Sequence, residues 1–347
     1  MENIAPALLA WYDAKKRVLP FRTVSTPYRV WVSESMLQQT RVAAALPYFE
    51  RFMEELPTVA DLAACPPERL TKLWEGLGYY SRARNLQKAA QILVEQYGGQ
   101  LPDDPALLQK LPGIGPYTAG AIASISFGKR VPAVDGNVLR VASRLLLDEG
   151  DVTTPAVRTR LTQAVQAMQP PDRPGDYNQA LMELGALVCV PGGPPLCDAC
   201  PLAGLCRARA AGCAQQLPVK AQAKPRRAVD YTVVLATAQS AVLLCQRPAK
   251  GLLAGLWQPV MLEGSLDEAA VCAALKAMGL APGEPQPLPN AKHVFSHLEW
   301  HMTGYRVPVA PCPAPAGFVW AQKDQLESVY AVPGAFRVYR DVLKKCL

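Results

Sequence analysis

Long apolar runs are missing from this 347-residue chain, and no uninterrupted stretch approaches the length that spans a membrane. The N-terminal segment MENIAPALLAWYDAKKRVLP also lacks the basic start, the apolar run and the small-residue cleavage site of a signal peptide. These two absences argue against export and against a membrane partner. We therefore expect a soluble, cytoplasmic protein.

Histidine is scarce as well, and the three present are His293, His297 and His301. On one strand they would face the same side, and a four-residue step of about 13 Å is too long for a single metal ion. The spacing argues against a histidine metal site and favours an ordinary strand face.

The chain is rich in apolar residues and carries an excess of basic ones. With 347 residues and a hydrophobic content of 50%, it is expected to form two domains. The net charge of +7 points weakly to an anionic partner, of which nucleic acid is the commonest. Most of its ten cysteines are widely scattered, which favours reduced thiols over disulfides. No interface signal is visible, so a monomer is expected.

Four cysteines lie together in CVPGGPPLCDACPLAGLC, residues 189–206. Structural zinc sites usually have two separated C-x2-C pairs, whereas this segment has one. A [4Fe-4S] cluster accepts uneven spacings because each of its four corners needs one thiolate. The spacing favours this cluster over zinc, and four adjacent core thiols are the remaining alternative. The candidate ligands are Cys189, Cys197, Cys200 and Cys206.

Two domains are predicted from the change of hydrophobic pattern along the chain. Residues 1–217 have apolar residues at helical spacing between Pro and Gly breaks, which predicts an all-helical domain. Residues 218–227 are rich in Pro, Lys and Arg, as in an exposed linker. Residues 228–347 combine a hairpin-like YTVVLATAQSAVLLCQR, a helical SLDEAAVCAALKAMG and a strand-like HVFSHLEWHMTGYRVPV. The second domain is therefore expected to be α+β.

The segment LQKLPGIGPYTAGAIASISFG predicts a helix-hairpin-helix at about residues 105–128, with its turn at Gly113 and Gly115. Backbone amides at the start of the second helix would suit a DNA phosphate and would be indifferent to base sequence. An ordinary connection between two helices is the alternative.

Two carboxylates have surroundings that suggest chemistry. Glu34 lies on the otherwise apolar helical segment VWVSESMLQQT, and Asp135 lies in VPAVDGNVLR, where a loop enters a helix. A carboxylic acid kept protonated by apolar surroundings, facing an ionised carboxylate, is the usual pair for cleaving a glycosidic bond. The alternatives are a solvent-facing Glu34 and an Asp135 that only caps a helix.

Taken together, these segments resemble the helix-hairpin-helix DNA glycosylases that carry an iron-sulfur cluster, specifically the MutY-type adenine DNA glycosylases. The resemblance covers nearly the whole chain and implies a monofunctional hydrolase of N-glycosyl compounds. Its substrate would be double-stranded DNA with adenine mispaired with 8-oxoguanine or with G, and in a bacterium it would be associated with the nucleoid. The motifs that carry it are VSESMLQQTRV (32–42), WEGLGYYSRARNL (74–86), LPGIGPYTAG (111–120), VDGNVLR (134–140), YNQALMELGALVC (177–189), the cysteine cluster and FSH (295–297).

The resemblance also implies roles for individual residues. Glu34 would protonate N7 of the extruded adenine, and Asp135, oriented by Asn137, would stabilise the oxocarbenium-like sugar. Tyr117 occupies the position of a Schiff-base lysine in related bifunctional enzymes, so no efficient lyase step is expected. The adenine pocket is expected to include Arg22, Leu37 and Gln179.

Recognition of 8-oxoguanine is expected to involve both parts of the chain. The second domain resembles a Nudix fold, but its helix has only Asp267 and Glu268 at its start, so base recognition is expected and pyrophosphate hydrolysis is not. For Tyr79 the alternative is an ordinary core aromatic. The residues expected to wedge into DNA or to contact 8-oxoguanine are Gln39, Thr40, Tyr79, Phe295, Ser296 and His297.

The chain departs from the family pattern in its first cysteine loop, VPGGPPL, which has seven residues where six are usual and contains no Lys or Arg. This puts the basic contact of that loop with the DNA backbone in doubt. Phe21 also stands where tryptophan is commoner. Basic residues that could replace the contact are Arg207, Arg209, Lys220, Lys224, Arg226 and Arg227.

Two other functions remain open from the sequence. An endonuclease-III-like glycosylase/lyase is disfavoured by Glu34, by Tyr117 in place of lysine and by the second domain. A non-catalytic iron-sulfur protein that binds DNA or senses redox state would use the hairpin and the cluster but not the carboxylates.

Overall fold

The computed structural model describes residues 3–221 and 225–346, and the chain divides into two compact units. The first unit consists of Met1–Ala64 and Asn85–Gln222, and the second consists of Cys65–Arg84 and Ala223–Leu347. A segment from within the helical part of the sequence thus packs with the C-terminal residues. The boundaries at 217 and 228 stay a prediction, and they did not anticipate this segment.

The N-terminal part of the chain is helical, as predicted. Proline occupies the first turn of α1, α3, α9, α11 and α12, where its missing N–H costs no hydrogen bond. No helix within residues 3–221 and 225–346 has the length and apolar character needed to cross a bilayer. The helices are α1 (Ala5–Lys15), α2 (Pro20–Thr23), α3 (Pro27–Leu37), α4 (Val42–Glu55), α5 (Val59–Ala64), α6 (Pro67–Leu73), α7 (Ser81–Tyr97), α8 (Pro105–Leu108), α9 (Pro116–Phe127), α10 (Gly136–Leu146), α11 (Pro155–Ala167), α12 (Pro174–Leu187) and α13 (Arg207–Ala210).

The core of the first unit joins α1, α10, α11 and α12. Buried side chains at helical spacing fill it, among them Leu8 and Tyr12 of α1, Leu145 of α10, and Tyr177 and Leu184 of α12. Burying apolar area of this kind is the main favourable term in folding. The packing fixes the start of α10 against the end of α12.

The second unit is built on a six-stranded mixed sheet with the order β4-β5-β1-β3-β2-β6. Strands β1 and β5 run parallel, and the remaining neighbours are antiparallel. The pairing of Thr237 with Val242 closes the predicted β1–β2 hairpin. The elements are β1 (Arg227–Ala238), β2 (Ala241–Gln246), β3 (Trp257–Glu263), α14 (Glu268–Ala277), β4 (Gln286–Val294), β5 (Leu298–Pro308), β6 (Phe318–Gln322), α15 (Lys323–Ser328) and α16 (Arg337–Cys346).

Both faces of the sheet are covered, because side chains of β1 alternate between two cores. Val233 packs in the cluster that contains Phe336 and Tyr339, next to and on α16, whereas Val234 packs in the cluster that contains Leu275 of α14. The α+β prediction for the C-terminal part is therefore confirmed. Lys224, from the predicted linker, lies outside the described residues.

The argument that placed the three histidines on one strand is wrong. His293 lies on β4 and His301 on β5, while His297 lies in the connection between these strands. The segment HVFSHLEWH contains a turn that its β-rich composition conceals.

Candidate active site

A pocket in the first unit is formed by α3, by the starts of α9 and α10, and by α12. It collects the residues predicted for catalysis and for the adenine pocket, although they come from five separate stretches of sequence. The predicted residues that line it are Arg22, Glu34, Leu37, Gln39, Thr40, Tyr117, Asp135, Asn137 and Gln179.

Glu34 is buried on α3, and the hydroxyl of Tyr117 donates a hydrogen bond to its Oε2. Burial raises the pKa of Glu34 to about 7, and the hydrogen bond from Tyr117 opposes part of this rise. The nearby negative charge of Asp135 raises the pKa of Glu34 further. Glu34 can therefore hold a proton near neutral pH, as a general acid must.

Asp135 has two functions in the pocket. Its Oδ1 accepts a hydrogen bond from the backbone N–H of Val138 at 2.8 Å, so it caps α10, and its Oδ2 accepts one from Asn137 Nδ2 at 2.8 Å. Burial raises the pKa of Asp135, while these hydrogen bonds lower it by favouring the ionised form. The capping role and a role in the pocket are thus compatible.

A hydrogen-bond chain leads from Asp135 to the first cysteine of the cluster segment. Asn137 Oδ1 accepts a bond from Arg140 Nη2 at 2.8 Å, and Arg140 Nε donates to the carbonyl oxygen of Cys189 at 2.7 Å. Arg140 Nη2 also donates to the carbonyl oxygen of Gly185 at 2.8 Å. The orientation of Asn137 therefore depends on Arg140, which the sequence analysis missed.

The four cysteines of the segment 189–206 have a shared environment. Cys189, Cys200 and Cys206 pack against the core of the first unit. Burial raises the pKa of Cys200 to about 11, and the charges of the other three thiols raise it further. Arg144 Nη1 donates to Cys189 Sγ at 3.2 Å. Four thiols are a donor set that suits either a zinc ion or a [4Fe-4S] cluster. Within residues 3–221 and 225–346, no three or more His, Cys, Asp or Glu side chains are grouped closely enough to hold a metal ion.

Of the two glycines in the helix-hairpin-helix turn, one occupies a position that only glycine fits without strain. Gly113 has a φ of +80°, and a Cβ there would lie 2.8 Å from the Cβ of Asn85. At Gly115, which precedes α9, φ is −88° and a Cβ would meet nothing within 4 Å. The prediction from sequence gave the same role in the turn to both glycines.

A second pocket lies in the second unit and contains the other predicted recognition residues. Tyr79, Phe295, Ser296 and His297 all line it. The hydroxyl of Tyr79 lies 3.4 Å from Ser296 Oγ. Arg226 Nε donates to the carbonyl oxygen of Phe295 at 3.0 Å, so part of the predicted linker holds this loop.

Two of the residues predicted to wedge into DNA have unusual backbones. Gln39 has a φ of +61° and Tyr79 a φ of +47°, a region that non-glycine residues seldom adopt. Tyr79 is 49% exposed, which argues against the core-aromatic alternative. Strained backbone conformations of this kind concentrate at functional sites.

Comparisons with known proteins match both parts of the chain. A family model described as HhH-GPD superfamily base excision DNA repair protein matches residues 32–167, and one described as NUDIX domain matches residues 231–341. The adenine DNA glycosylase of Mus musculus is 38% identical to this chain, over 96% of the chain and 77% of the mouse protein. The chain belongs to the adenine DNA glycosylases.

Solved structures of other DNA repair enzymes share part of the fold of this adenine DNA glycosylase. A thermostable thymine-DNA glycosylase matches it with a TM-score of 0.55 and 25% identity, covering 59% of this chain and 94% of that chain. A non-covalent complex of endonuclease III with DNA matches with a TM-score of 0.51 and 27% identity, covering 60% and 96%. The resemblance found in the sequence is confirmed: this is a base-excision-repair enzyme of the MutY type, with a helical domain and a Nudix-type domain that recognises 8-oxoguanine.

The glycosylase pocket also contains a buried ion cluster that the sequence analysis missed. Glu183 of α12 is fully buried, accepts hydrogen bonds from Arg17 Nε at 2.9 and 3.0 Å, and pairs with Arg22. The cluster holds Arg22 at the pocket wall, because a buried carboxylate needs its cationic partners. The sequence feature that could have revealed this ion cluster is Glu183, a carboxylate one helical turn after Gln179.

Gly185→Ala is expected to destabilise the glycosylase and slow adenine release. A Cβ at position 185 would lie 2.6 Å from the Cβ of Asn137 and 3.2 Å from its backbone oxygen. Overpacking of this kind costs about 1–3 kcal/mol, and the displaced Asn137 would no longer orient Asp135. Thermal unfolding and single-turnover excision measure the two effects.

The matched control is Gly193→Ala, since a Cβ at Gly193 meets nothing within 4 Å. Wild-type stability and rate in Gly185→Ala would contradict the close approach of α12 to Asn137.

Proposed function

We propose that this enzyme hydrolyses the N-glycosidic bond of adenine paired with 8-oxoguanine, or with G, in double-stranded DNA, and that Glu34 and Asp135 carry the chemistry. The observation that carries this proposal is the pairing of a carboxyl group whose pKa is raised to about 7 with a second carboxylate in the same pocket. One acid and one anion are what departure of a base from a sugar requires.

The extruded adenine would enter the pocket of the first unit, since an enzyme must take a base out of the stack to act on it. Glu34 would protonate N7, and the bond between N9 and C1′ would break with its electron pair leaving on adenine. Asp135 would stabilise the positive charge that develops on the sugar. Water would then add to C1′ and give up a proton, which restores Glu34. The residues proposed to contact the adenine edge are Arg22, Leu37 and Gln179.

The enzyme is proposed to be monofunctional. Tyr117 supplies no amine for a Schiff base, and its hydroxyl is already donated to Glu34. Asn137 is proposed to keep Asp135 aligned through its bond to Oδ2.

Recognition of the base opposite adenine is proposed for the second pocket, and Gln39 and Thr40 of the first unit are proposed to contact the DNA at the mispair. Tyr79 is exposed for insertion into the base stack, and the hydroxyl of Ser296 can bond a base edge where guanine and 8-oxoguanine differ. Phe295 packs edge-on against Trp300, with ring centroids 4.8 Å apart, which fixes the loop. His297 is exposed beside Ser296.

The four cysteines are proposed to ligate a [4Fe-4S] cluster, which would require a reducing compartment such as the cytoplasm. When bound, the cluster would crosslink the four cysteines and would also supply a centre that can exchange electrons. This chain's own residues would hold Cys189 through hydrogen bonds from Arg140 and Arg144. Arg207 and Arg209, on α13, are proposed to approach the DNA backbone in place of the non-basic first loop.

Tyr117→Phe is expected to move the alkaline limb of the pH–rate profile upward. The hydrogen bond from Tyr117 lowers the pKa of Glu34, so its loss raises that pKa further above about 7. Since Glu34 acts in its protonated form, the excision rate stays high while the pH is below the pKa of Glu34. The rate falls as the pH rises through that pKa. Single-turnover excision measured across neutral pH, with Tyr97→Phe as the control, checks this. An unmoved limb would argue against Glu34 as the acid.

The test of the proposed function is single-turnover release of adenine from duplexes with A opposite 8-oxoguanine, G or T. Release should be fastest opposite 8-oxoguanine, slower opposite G and absent opposite T. Tight binding without release would leave the non-catalytic iron-sulfur protein as the function. Strand cleavage without alkali would favour the glycosylase/lyase alternative, because cleavage needs a lyase step.

A further inference from the structure

Residues Cys65–Arg84 pack in the second unit through an ion cluster centred on Lys72 and Glu75. Lys72 Nζ lies 2.6 Å from Glu75 Oε2 and donates to the carbonyl oxygens of Leu326 at 2.8 Å and Tyr330 at 3.3 Å. The Lys72 and Glu75 side chains are only 9% and 12% exposed. The cluster thus attaches the end of α6 to the chain around and after α15.

The second oxygen of Glu75 reaches a different part of the unit. Oε1 accepts a hydrogen bond from the backbone N–H of Val332 at 2.9 Å and another from Arg340 Nη1, on α16, at 3.0 Å. Bonds from charged donors to a carboxylate are stronger than neutral ones. One carboxylate therefore joins three elements that are far apart in sequence.

Two of these elements continue into the lining of the pocket that contains Ser296. Gly76 follows Glu75 directly, Tyr79 lies four residues after Glu75, and Pro333 follows Val332. All three line the pocket. The loop after Glu75 is closed internally, since Trp74 Nε1 donates to the carbonyl oxygen of Gly78 at 3.1 Å. A shift of Glu75 would consequently move the loop as a unit and take Tyr79 away from Ser296.

We propose that Glu75, together with Lys72, is a positioning residue that sets the preference for 8-oxoguanine over guanine opposite the excised adenine. Glu75 is mostly shielded from solvent, does not line the pocket, and acts through Tyr79 and the 332–335 connection. This inference rests on the proposed function, because it assigns the source of a discrimination that the proposed function requires. Excision itself uses the pocket of the first unit, so the effect of Glu75 falls on partner-base recognition.

Glu75→Gln is the decisive variant because glutamine can still accept from Val332 but loses the charge that pairs with Lys72 and Arg340. Glu68→Gln is the matched control: it removes an exposed carboxylate from α6, the same helix that carries Lys72. The measurement is single-turnover excision at saturating enzyme on duplexes with A opposite 8-oxoguanine and A opposite G. We expect the 8-oxoguanine rate to fall about tenfold and the G rate to stay within about twofold, so the ratio falls.

A second variant separates positioning from loss of folding. If Glu75→Gln does not fold, Arg340→Met, which keeps the Lys72–Glu75 pair, should lower the same ratio. In a Ser296→Ala background, Glu75→Gln should change the ratio little, because the contact that it positions is already gone. An unchanged ratio, or equal losses on both duplexes, would overturn the proposal. Wild-type enzyme that releases no adenine would instead overturn the proposed function.

Discussion

Glu34→Gln is expected to slow single-turnover release of adenine from an A:8-oxoguanine duplex by roughly 10²–10⁴-fold, with duplex affinity unchanged. An amide has nearly the shape of the carboxylic acid and can still accept the hydrogen bond from Tyr117. It cannot deliver a proton to N7 at any accessible pH. The pKa of Glu34, raised to about 7 by burial, makes that proton available in the wild-type enzyme.

The control for this experiment is Glu54→Gln, which removes an exposed carboxylate from α4 in the same unit. The control should excise adenine at the wild-type rate. Loss of duplex binding in Glu34→Gln, or excision within a few-fold of wild type, would contradict the assignment of Glu34 as general acid.

The fold was predictable where its signals are local. Helical periodicity marked the first unit, and β-rich segments separated by a short polar break marked the β1–β2 hairpin. The packing of Cys65–Arg84 with the C-terminal residues was not predictable, because the hydrogen bond from Lys72 to the carbonyl of Leu326 joins positions 254 residues apart. Neither Lys72 nor Glu75 shows a pattern that distinguishes it from a solvated helix end.

The sequence analysis predicted the two carboxylates and the apolar surroundings that would keep one of them protonated, but not the side chains that hydrogen-bond to them. Glu34 and Asp135 were chosen by residue type and motif, and both line the pocket. The protonation of Glu34 depends on burial and on Tyr117, which is 83 residues away in the chain. Glu183 and Arg140 were missed because their importance lies in tertiary hydrogen bonds that no periodicity shows.

Asp135→Asn is expected to slow adenine release by about 10²–10³-fold, the usual cost of losing one group that stabilises developing charge. Asparagine is as good an N-cap as aspartate, so α10 should still form and the variant should fold. What disappears is the negative charge that we propose to stabilise the sugar. The Asn137 amide, which donates to Oδ2 in the wild type, would then face either a neutral oxygen or another N–H.

Asp104→Asn tests whether the loss is specific to the pocket, since Asp104 also caps a helix in the first unit, accepting from the backbone N–H of Ala106 at 2.8 Å. This control should keep the wild-type rate, because its carboxylate is exposed and does not line the pocket. If both variants lose the same small factor, Asp135 acts only as a cap. A large loss confined to Asp135→Asn, with thermal stability retained, would show that adenine release needs the negative charge of Asp135. The residue that caps α10 would then also stabilise the transition state.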